Sequence, residues 1–126
     1  METEIILYVS NLEKSKTFYS EILNYKPSLD VPGMVEFDLG DKVKLGLMPE
    51  TGIAKIICPA LPHPSLANGK PRCELYLKCA DYKKHFDRAI NAGALLISPV
   101  LLRDWGHSVG YVADSDGHVL AFAGDI

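Results

Sequence analysis

The sequence predicts an α+β fold made of two tandem βαβββ modules whose curled mixed sheets surround a cleft. Two observations carry that prediction. The first is an internal repeat, a feature that decides the architecture wherever it occurs. Glu4–Leu12 matches Glu74–Tyr82 at an offset of 70, and Asp41–Leu47 matches Asp116–Phe122 at an offset of 75. The two matches keep the same order along the chain. The second observation is periodicity: in each half a two-residue alternation gives way to helical spacing and then returns to alternation.

In the first module, residues 4–10 read as strand, being β-branched, apolar and aromatic in alternation. Ser10 or Asn11 can cap the helix that follows, and Ser10-x-x-Glu13 fits a capping box. Leu12, Phe18, Tyr19, Ile22 and Leu23 recur at helical spacing, and Asn24 can end the helix. A short extended piece near Pro27–Val31 precedes a strand in which Val35, Phe37 and Leu39 alternate with Glu36 and Asp38. Gly40-Asp41 supplies a turn, and Val43, Leu45 and Leu47 continue into a fourth strand.

The second module repeats the plan. Strand 73–79 leads to a helix from Tyr82 to Ala92, with Tyr82, Phe86, Ala89 and Ile90 on one face and Gly93 as its left-handed end. Leu95–Ser98 reads as a short strand. His107–Ala113 and His118–Ala123 form a hairpin around Asp114-Ser115-Asp116-Gly117. The offset grows by five residues, which places the extra residues in the loop Pro99–Gly106. The whole of residues 1–126 is expected as a single domain, with a first module 3–48, a linker 49–71 and a second module 72–124. Five prolines mark the linker, with one helical turn expected near Ala54–Cys58. Modules this small cannot bury enough surface alone, so they must pair within one chain or between two.

Composition limits the function. The 126 residues are 48% hydrophobic and 23% charged, which excludes a disordered chain, and a net charge of −3 argues against a nucleic-acid surface. No apolar run reaches the roughly 18 residues of a membrane span. The start, Met1-Glu2-Thr3-Glu4, is unlike a signal peptide. Three cysteines (Cys58, Cys73, Cys79) without a CxxC are expected as free buried thiols, and the expected location is cytoplasmic.

Alternation divides the first strand of each module between two faces. Ile5, Leu7 and Val9 take the helix side, leaving Glu4, Ile6 and Tyr8 on the other, as Glu74, Tyr76 and Lys78 are in the second module. A mixed apolar, aromatic and charged face suits a small-molecule site. Glu4 and Glu74 are then repeat-related carboxylates for a cationic or hydroxylated ligand, or for acid–base work. Trp105, the only tryptophan, offers a stacking plate, and Met48 an adaptable apolar wall. His107 and His118 lie beside turns and are expected as solvated or locally bonded, and neither His63 nor His85 has a partner at metal spacing.

The tandem repeat, Val9-Ser10-Asn11-Leu12-Glu13-Lys14-Ser15-x-x-Phe18-Tyr19 and Asp114-Ser115-Asp116-Gly117-His118 together resemble the vicinal-oxygen-chelate superfamily of glyoxalases, bleomycin resistance proteins and extradiol dioxygenases. Trp105-Gly106 before the last hairpin fits as well, while Ser115 stands where the family often has proline. The resemblance implies a glyoxalase/bleomycin-resistance-like fold. It also implies metal ligands on the first and fourth strands of each module, which here fall on Glu4, Gly46, Glu74 and Ala121. Two of the four lack a ligating side chain, so no metal and no other cofactor is expected.

The expected function is metal-independent binding of a small organic molecule, partly aromatic or cationic, in the cleft between modules. Glu4, Tyr8, Met48, Glu74, Tyr76 and Trp105 are its ligand-binding residues, and no catalytic residue is assigned. The alternatives are a glyoxalase-type metal-dependent lyase, isomerase or dioxygenase with an atypical site at Glu4 and Glu74, and a structural or regulatory dimer without a ligand. A homodimer is expected in each case, with neither nucleic acid nor membrane as partner.

Overall fold

A computed structural model describes all of residues 1–126. Its elements run β1 (Thr3–Val9), α1 (Leu12–Leu23), β2 (Leu29–Val31), β3 (Met34–Asp38), β4 (Val43–Pro49), α2 (Glu50–Ile57), β5 (Glu74–Lys78), α3 (Tyr82–Asn91), β6 (Leu95–Leu102), β7 (His107–Ala113) and β8 (Val119–Asp125). A single 3-10 turn, Pro64–Ala67, lies between α2 and β5. Internal contacts divide the chain into two compact units, residues 1–20 with 24–68, and residues 21–23 with 69–126.

Each unit holds one four-stranded mixed sheet of the same plan, in the orders β1-β4-β3-β2 and β5-β8-β7-β6. The first strand runs parallel to the fourth and the remaining pairs are antiparallel. Registers repeat as well. Glu4 lies beside Lys44 and Ile6 beside Gly46 in one sheet, Glu74 beside Val119 and Tyr76 beside Ala121 in the other.

In the first sheet, cross-strand rows Ile5–Leu45–Phe37 and Leu7–Leu47–Val35 share a face. All of these except Ile5 are buried. Each fully buried Leu or Val contributes about 1.5–3 kcal/mol by leaving water, so these two rows anchor the unit. Helix α1 is capped by Asn11, whose side chain accepts from the Lys14 amide, and ends at Asn24 in the left-handed conformation. Asn11 rather than Ser10 therefore serves as the cap. Tyr19 and Ile22 are the residues that α1 buries most completely. Helix α2 spans eight residues, longer than the one turn expected within 54–58, because Ile53 and Ala54 bury apolar surface that favours continuing the helix.

In the second sheet, Leu75–Leu120–Val112 and Leu77–Phe122–Gly110 form the corresponding rows. Helix α3 packs Phe86 edge-on against Phe122, with ring centroids 6.5 Å apart. Phe86 sits so close to Gly110 that a Cβ there would lie 2.6 Å from the ring.

Two expectations are corrected. Strand β6 runs through Pro99 to Leu102 rather than stopping at Ser98. It has eight residues against three in β2, so the extra length enters this edge strand and not the loop Pro99–Gly106. Register shifts on either side of Ser98 absorb the proline, which an edge strand tolerates. Arg103 pins the irregularity, donating to Ser98 Oγ at 2.7 Å and to the Val109 carbonyl at 2.9 Å. The three cysteines are free but not buried: Cys58 and Cys73 are half-buried and Cys79 is exposed, because all three lie at the ends of elements.

The β7–β8 turn is a buried polar knot. One oxygen of Asp114 accepts from the amides of Asp116 and His118, both at 2.9 Å, and the other meets His118 Nδ1 at 2.8 Å. Arg72 donates to the Asp116 carbonyl at 2.7 Å and lies 3.1 Å from His118 Nε2. A guanidinium only donates, so Nε2 is the acceptor and the ring proton is on Nδ1, facing Asp114. At the tip Gly117 has φ +87, and a Cβ would lie 2.3 Å from the Gly69 carbonyl oxygen. Gly33 also has φ +87 but nothing within 4 Å of a Cβ. Gly33→Ala is therefore expected to cost about 1 kcal/mol, the penalty of the left-handed region alone. Gly117→Ala is expected to cost about 3 kcal/mol, since backbone must move as well. Urea unfolding midpoints of the two variants compare them directly.

Candidate functional site

The faces opposite the buried rows carry the polar and aromatic side chains. In the first unit, alternation places Glu4, Ile6 and Tyr8 of β1 with Lys44, Gly46 and Met48 of β4 and Met34, Glu36 and Asp38 of β3. Tyr8 and Met48 are register partners and both half-buried, so the structure brings these two expected site residues together. Gly46 leaves a notch that Glu4 occupies: a Cβ there would lie 2.6 Å from the Glu4 carboxylate and 3.0 Å from the Met34 methyl.

The Glu4 carboxyl is held above its ordinary range, first by desolvation, then by a hydrogen bond with Glu36 and the charge of that neighbour, with Lys44 opposing. Lys44 lies 3.7 Å from Glu36. Two carboxylates side by side favour one shared proton over two charges. Glu36 escaped the sequence reading because it counted only as the polar partner in a strand's alternation. At the start of β1 and the β3–β4 turn, Glu2, Thr3, Glu4, Asp38, Gly40, Asp41, Lys42 and Lys44 line an open cavity of about 460 Å³.

In the second unit the corresponding face carries Glu74, Tyr76 and Lys78 of β5, with His107 and Tyr111 of β7 and Asp125 of β8. Its floor is small and apolar, with Val109, Ala121 and Ala123 buried and Tyr111 packed against them. Tyr76 and Trp105, both expected from sequence, meet here: the Trp105 indole N–H donates to the Tyr76 hydroxyl at 2.8 Å. On its other side that hydroxyl lies 2.7 Å from His107 Nδ1. His107 Nε2 faces Asp125 at 3.8 Å, and Lys78 holds Asp125 at 2.9 Å. The Lys78 hydrogen bond and charge keep the Asp125 carboxyl below its ordinary range.

Glu74 pairs with neither Lys78 nor Arg72, which are engaged by Asp125 and by the β7–β8 turn. Its charge reaches Tyr111, whose phenol is pushed up by burial first and by Glu74 second, while Arg103 opposes. The Arg103 guanidinium covers the Tyr111 ring at 5.1 Å. Tyr76 is 37% and Trp105 55% exposed, so this aromatic patch is open to solvent. In the sequence His107 is only a histidine beside a turn. Its alternation with Val109 and Tyr111 was the available signal, but only register shows that Tyr76 lies within reach.

The donor set does not suit the metal that the resemblance implies. Gly46 and Ala121 stand where the resemblance implies ligands, and the Glu4 carboxyl is already hydrogen-bonded to Glu36. Asp114, Asp116 and His118 form a buried trio with metal-like spacing. There the His118 nitrogens are engaged by Asp114 and Arg72, and a guanidinium at 3.1 Å disfavours a cation.

Two measurements check these assignments. The Trp105 donor on the Tyr76 oxygen leaves the phenol proton for Nδ1, and Asp125, 3.8 Å from Nε2, favours the ring proton there by its charge rather than by a direct hydrogen bond. Nitrogen NMR of the neutral chain is expected to show the Nε2-protonated tautomer of His107, and Tyr76→Phe to release the ring to both tautomers. In the second, the raised Glu4 carboxyl binds its proton more tightly in the folded than in the unfolded chain. Its contribution to stability is then full below the ordinary glutamate range and lost as pH rises through its own raised value. Glu36→Gln is expected to lower the Glu4 midpoint in carbon NMR titration without restoring the ordinary value, because burial, the first cause, remains.

A family model, the glyoxalase-like domain, matches residues 2–125. No curated protein matches by sequence. Among solved structures, the chain is similar to a glyoxalase-related enzyme from Fulvimarina pelagi, with 22% identity and a TM-score of 0.82 over 99% of this chain and 88% of that one. A glyoxalase/bleomycin resistance protein/dioxygenase from Nocardioides matches with 20% identity and a TM-score of 0.77 over 100% and 83%. A glyoxalase/bleomycin resistance protein/dioxygenase family enzyme from Burkholderia phytofirmans PsJN matches with 15% identity and a TM-score of 0.75 over 98% and 97%. At these identities the structural likeness shows the fold alone.

Proposed function

Given that the chain belongs to the glyoxalase-like domain family of the vicinal-oxygen-chelate superfamily, we propose that it binds a small organic molecule, partly aromatic or cationic, without a metal. One observation carries this reading: the solvent-open aromatic patch of Trp105 and Tyr76. An exposed indole fixed by its N–H is a ready stacking plate, and Glu74 supplies a nearby negative charge. Glu4, Tyr8 and Met48 present a second mixed face in the first unit, which we assign to the same ligand-binding role.

Metal independence is supported by the donor set. Glycine and alanine offer no ligand, and the Glu4 carboxyl is already engaged by Glu36. An atypical metal enzyme at Glu4 and Glu74 has less support for the same reason. Elemental analysis of the purified chain is expected to find zinc, nickel, iron and manganese well below one per chain. A stoichiometric metal that disappears in Glu4→Gln with Glu74→Gln would refute metal independence.

We assign a homodimer to this reading, supported by β6. That edge strand leaves Leu95, Leu96, Ile97, Leu101 and Leu102 exposed, an apolar run that a second copy would cover. No helix is long and apolar enough to cross a membrane, and the three free thiols support a reducing cytoplasmic setting.

The ligand test uses proflavine, a planar aromatic cation. It is expected to quench the fluorescence of Trp105 and to bind by calorimetry. Trp105→Ala is expected to weaken binding about tenfold while melting as the wild type does, since an exposed ring contributes contact rather than core. Equal affinity in the variant would remove Trp105 from the site.

A further inference from the structure

We infer that Tyr76, His107 and Asp125 form a proton relay that ionises a hydroxyl group of an aromatic ligand seated against Trp105. The inference rests on the binding reading above and adds a ligand class and a chemical step to it. Its basis is the order of partners along one line. Trp105 donates to the Tyr76 oxygen at 2.8 Å, the Tyr76 oxygen lies 2.7 Å from His107 Nδ1, and His107 Nε2 faces Asp125 at 3.8 Å. Asp125 is tied to Lys78 at 2.9 Å, which keeps it anionic and directed at the ring.

This is the arrangement of a hydroxyl, a base behind it and a carboxylate near enough to stabilise the base's positive charge. A purely structural tyrosine would have its ring in the core, with its hydroxyl anchoring a buried edge. Tyr76 is 37% exposed, and its register partner Ala121 belongs to a floor of small side chains with Val109 and Ala123. With Trp105 donating to it and its own proton directed at His107, the phenol oxygen keeps one lone pair, and that is the acceptor assigned to the ligand.

The ligand O–H passes its proton to the Tyr76 oxygen while Tyr76 passes its own to His107 Nδ1. The ligand becomes an oxyanion that accepts a hydrogen bond from the restored phenol. His107 becomes an imidazolium between the Tyr76 oxygen and the Asp125 carboxylate, and no electrons change hands. The adjacent indole selects a ring-bearing hydroxyl, a phenol, because such a ring stacks while its oxygen meets Tyr76. Tyr76 is the residue that touches the ligand, and His107 acts through it.

The probe is 4-nitrophenol, whose anion has its own visible absorption band, titrated into the full chain at a pH where the free probe is mostly neutral. Calorimetry reads binding and absorbance reads ionisation. The wild type is expected to raise the ratio of phenolate to phenol in the bound probe about tenfold over buffer, equivalent to one pKa unit. Tyr76→Phe and His107→Asn are expected to bind within about tenfold of wild type and to return that ratio to its value in buffer. Asn keeps a hydrogen-bond acceptor for Tyr76 but cannot take its proton, so it separates positioning from proton transfer. A bound probe with no gain of phenolate overturns the relay, as does a gain that survives both substitutions. Failure of 4-nitrophenol to bind while proflavine still binds overturns the relay alone. Failure of both probes overturns the binding reading with it.

Discussion

The constraint on which the rest depends is the parallel pairing of the first strand with the fourth in each unit, β1 with β4 and β5 with β8. Side chains on a strand alternate strictly, so one choice of register assigns every residue of the sheet to a face. With Leu7 beside Leu47 and Leu75 beside Leu120, the apolar sets coincide and are buried. The same registers gather Glu4, Gly46 and Glu36 on one opposite face, and Tyr76, Ala121 and Tyr111 on the other. A slip by one residue would invert both assignments, exposing the core rows and burying carboxylates. The candidate site is thus the reverse side of the core and shares its determinant.

Small residues then decide what each face can do. Gly46 and Ala121 occupy equivalent positions beside the first strand, and both are where the superfamily resemblance implies ligands. In the first unit, the missing side chain lets the Glu4 carboxyl lie down into the notch and reach Glu36. In the second, Ala121 with Val109 and Ala123 makes a low floor above which Tyr76 stands exposed. The same repeat has therefore diverged into a carboxyl pair on one sheet and an aromatic, imidazole-bearing patch on the other. Glycine serves packing as well: Gly110 admits Phe86 of α3 to close approach on the opposite side of the second sheet.

The two polar clusters of the second unit have different roles despite similar chemistry. His118 is buried between Asp114 and Arg72, with both ring nitrogens engaged, and it ties residue 72 to the β7–β8 turn. His107 lies in an open setting, with a phenol at one nitrogen and a carboxylate at a longer distance from the other. The first is a closed structural knot and the second an accessible one. Sequence treated both as histidines beside turns. Only burial and the identity of their partners separate them.

The α+β class, the repeated strand order and the division of β1 and β5 into two faces were legible in the sequence, because hydrophobic periodicity and cap residues such as Asn24 and Gly93 are local properties of the chain. Also legible as candidate contacts were Tyr76, on the non-core side by counting along β5, and Trp105, as the only tryptophan and set in a loop. The extent of β6 was not, because Pro99 reads as a strand breaker. Its tolerance depends on an edge position and on Arg103 bridging the irregularity from five residues away. The Glu4–Glu36 pair and the line from Trp105 through Tyr76 and His107 to Asp125 were equally hidden. Each link joins residues about 20 to 30 positions apart, and the cross-strand register that makes them neighbours is a property of the folded sheet rather than of any segment.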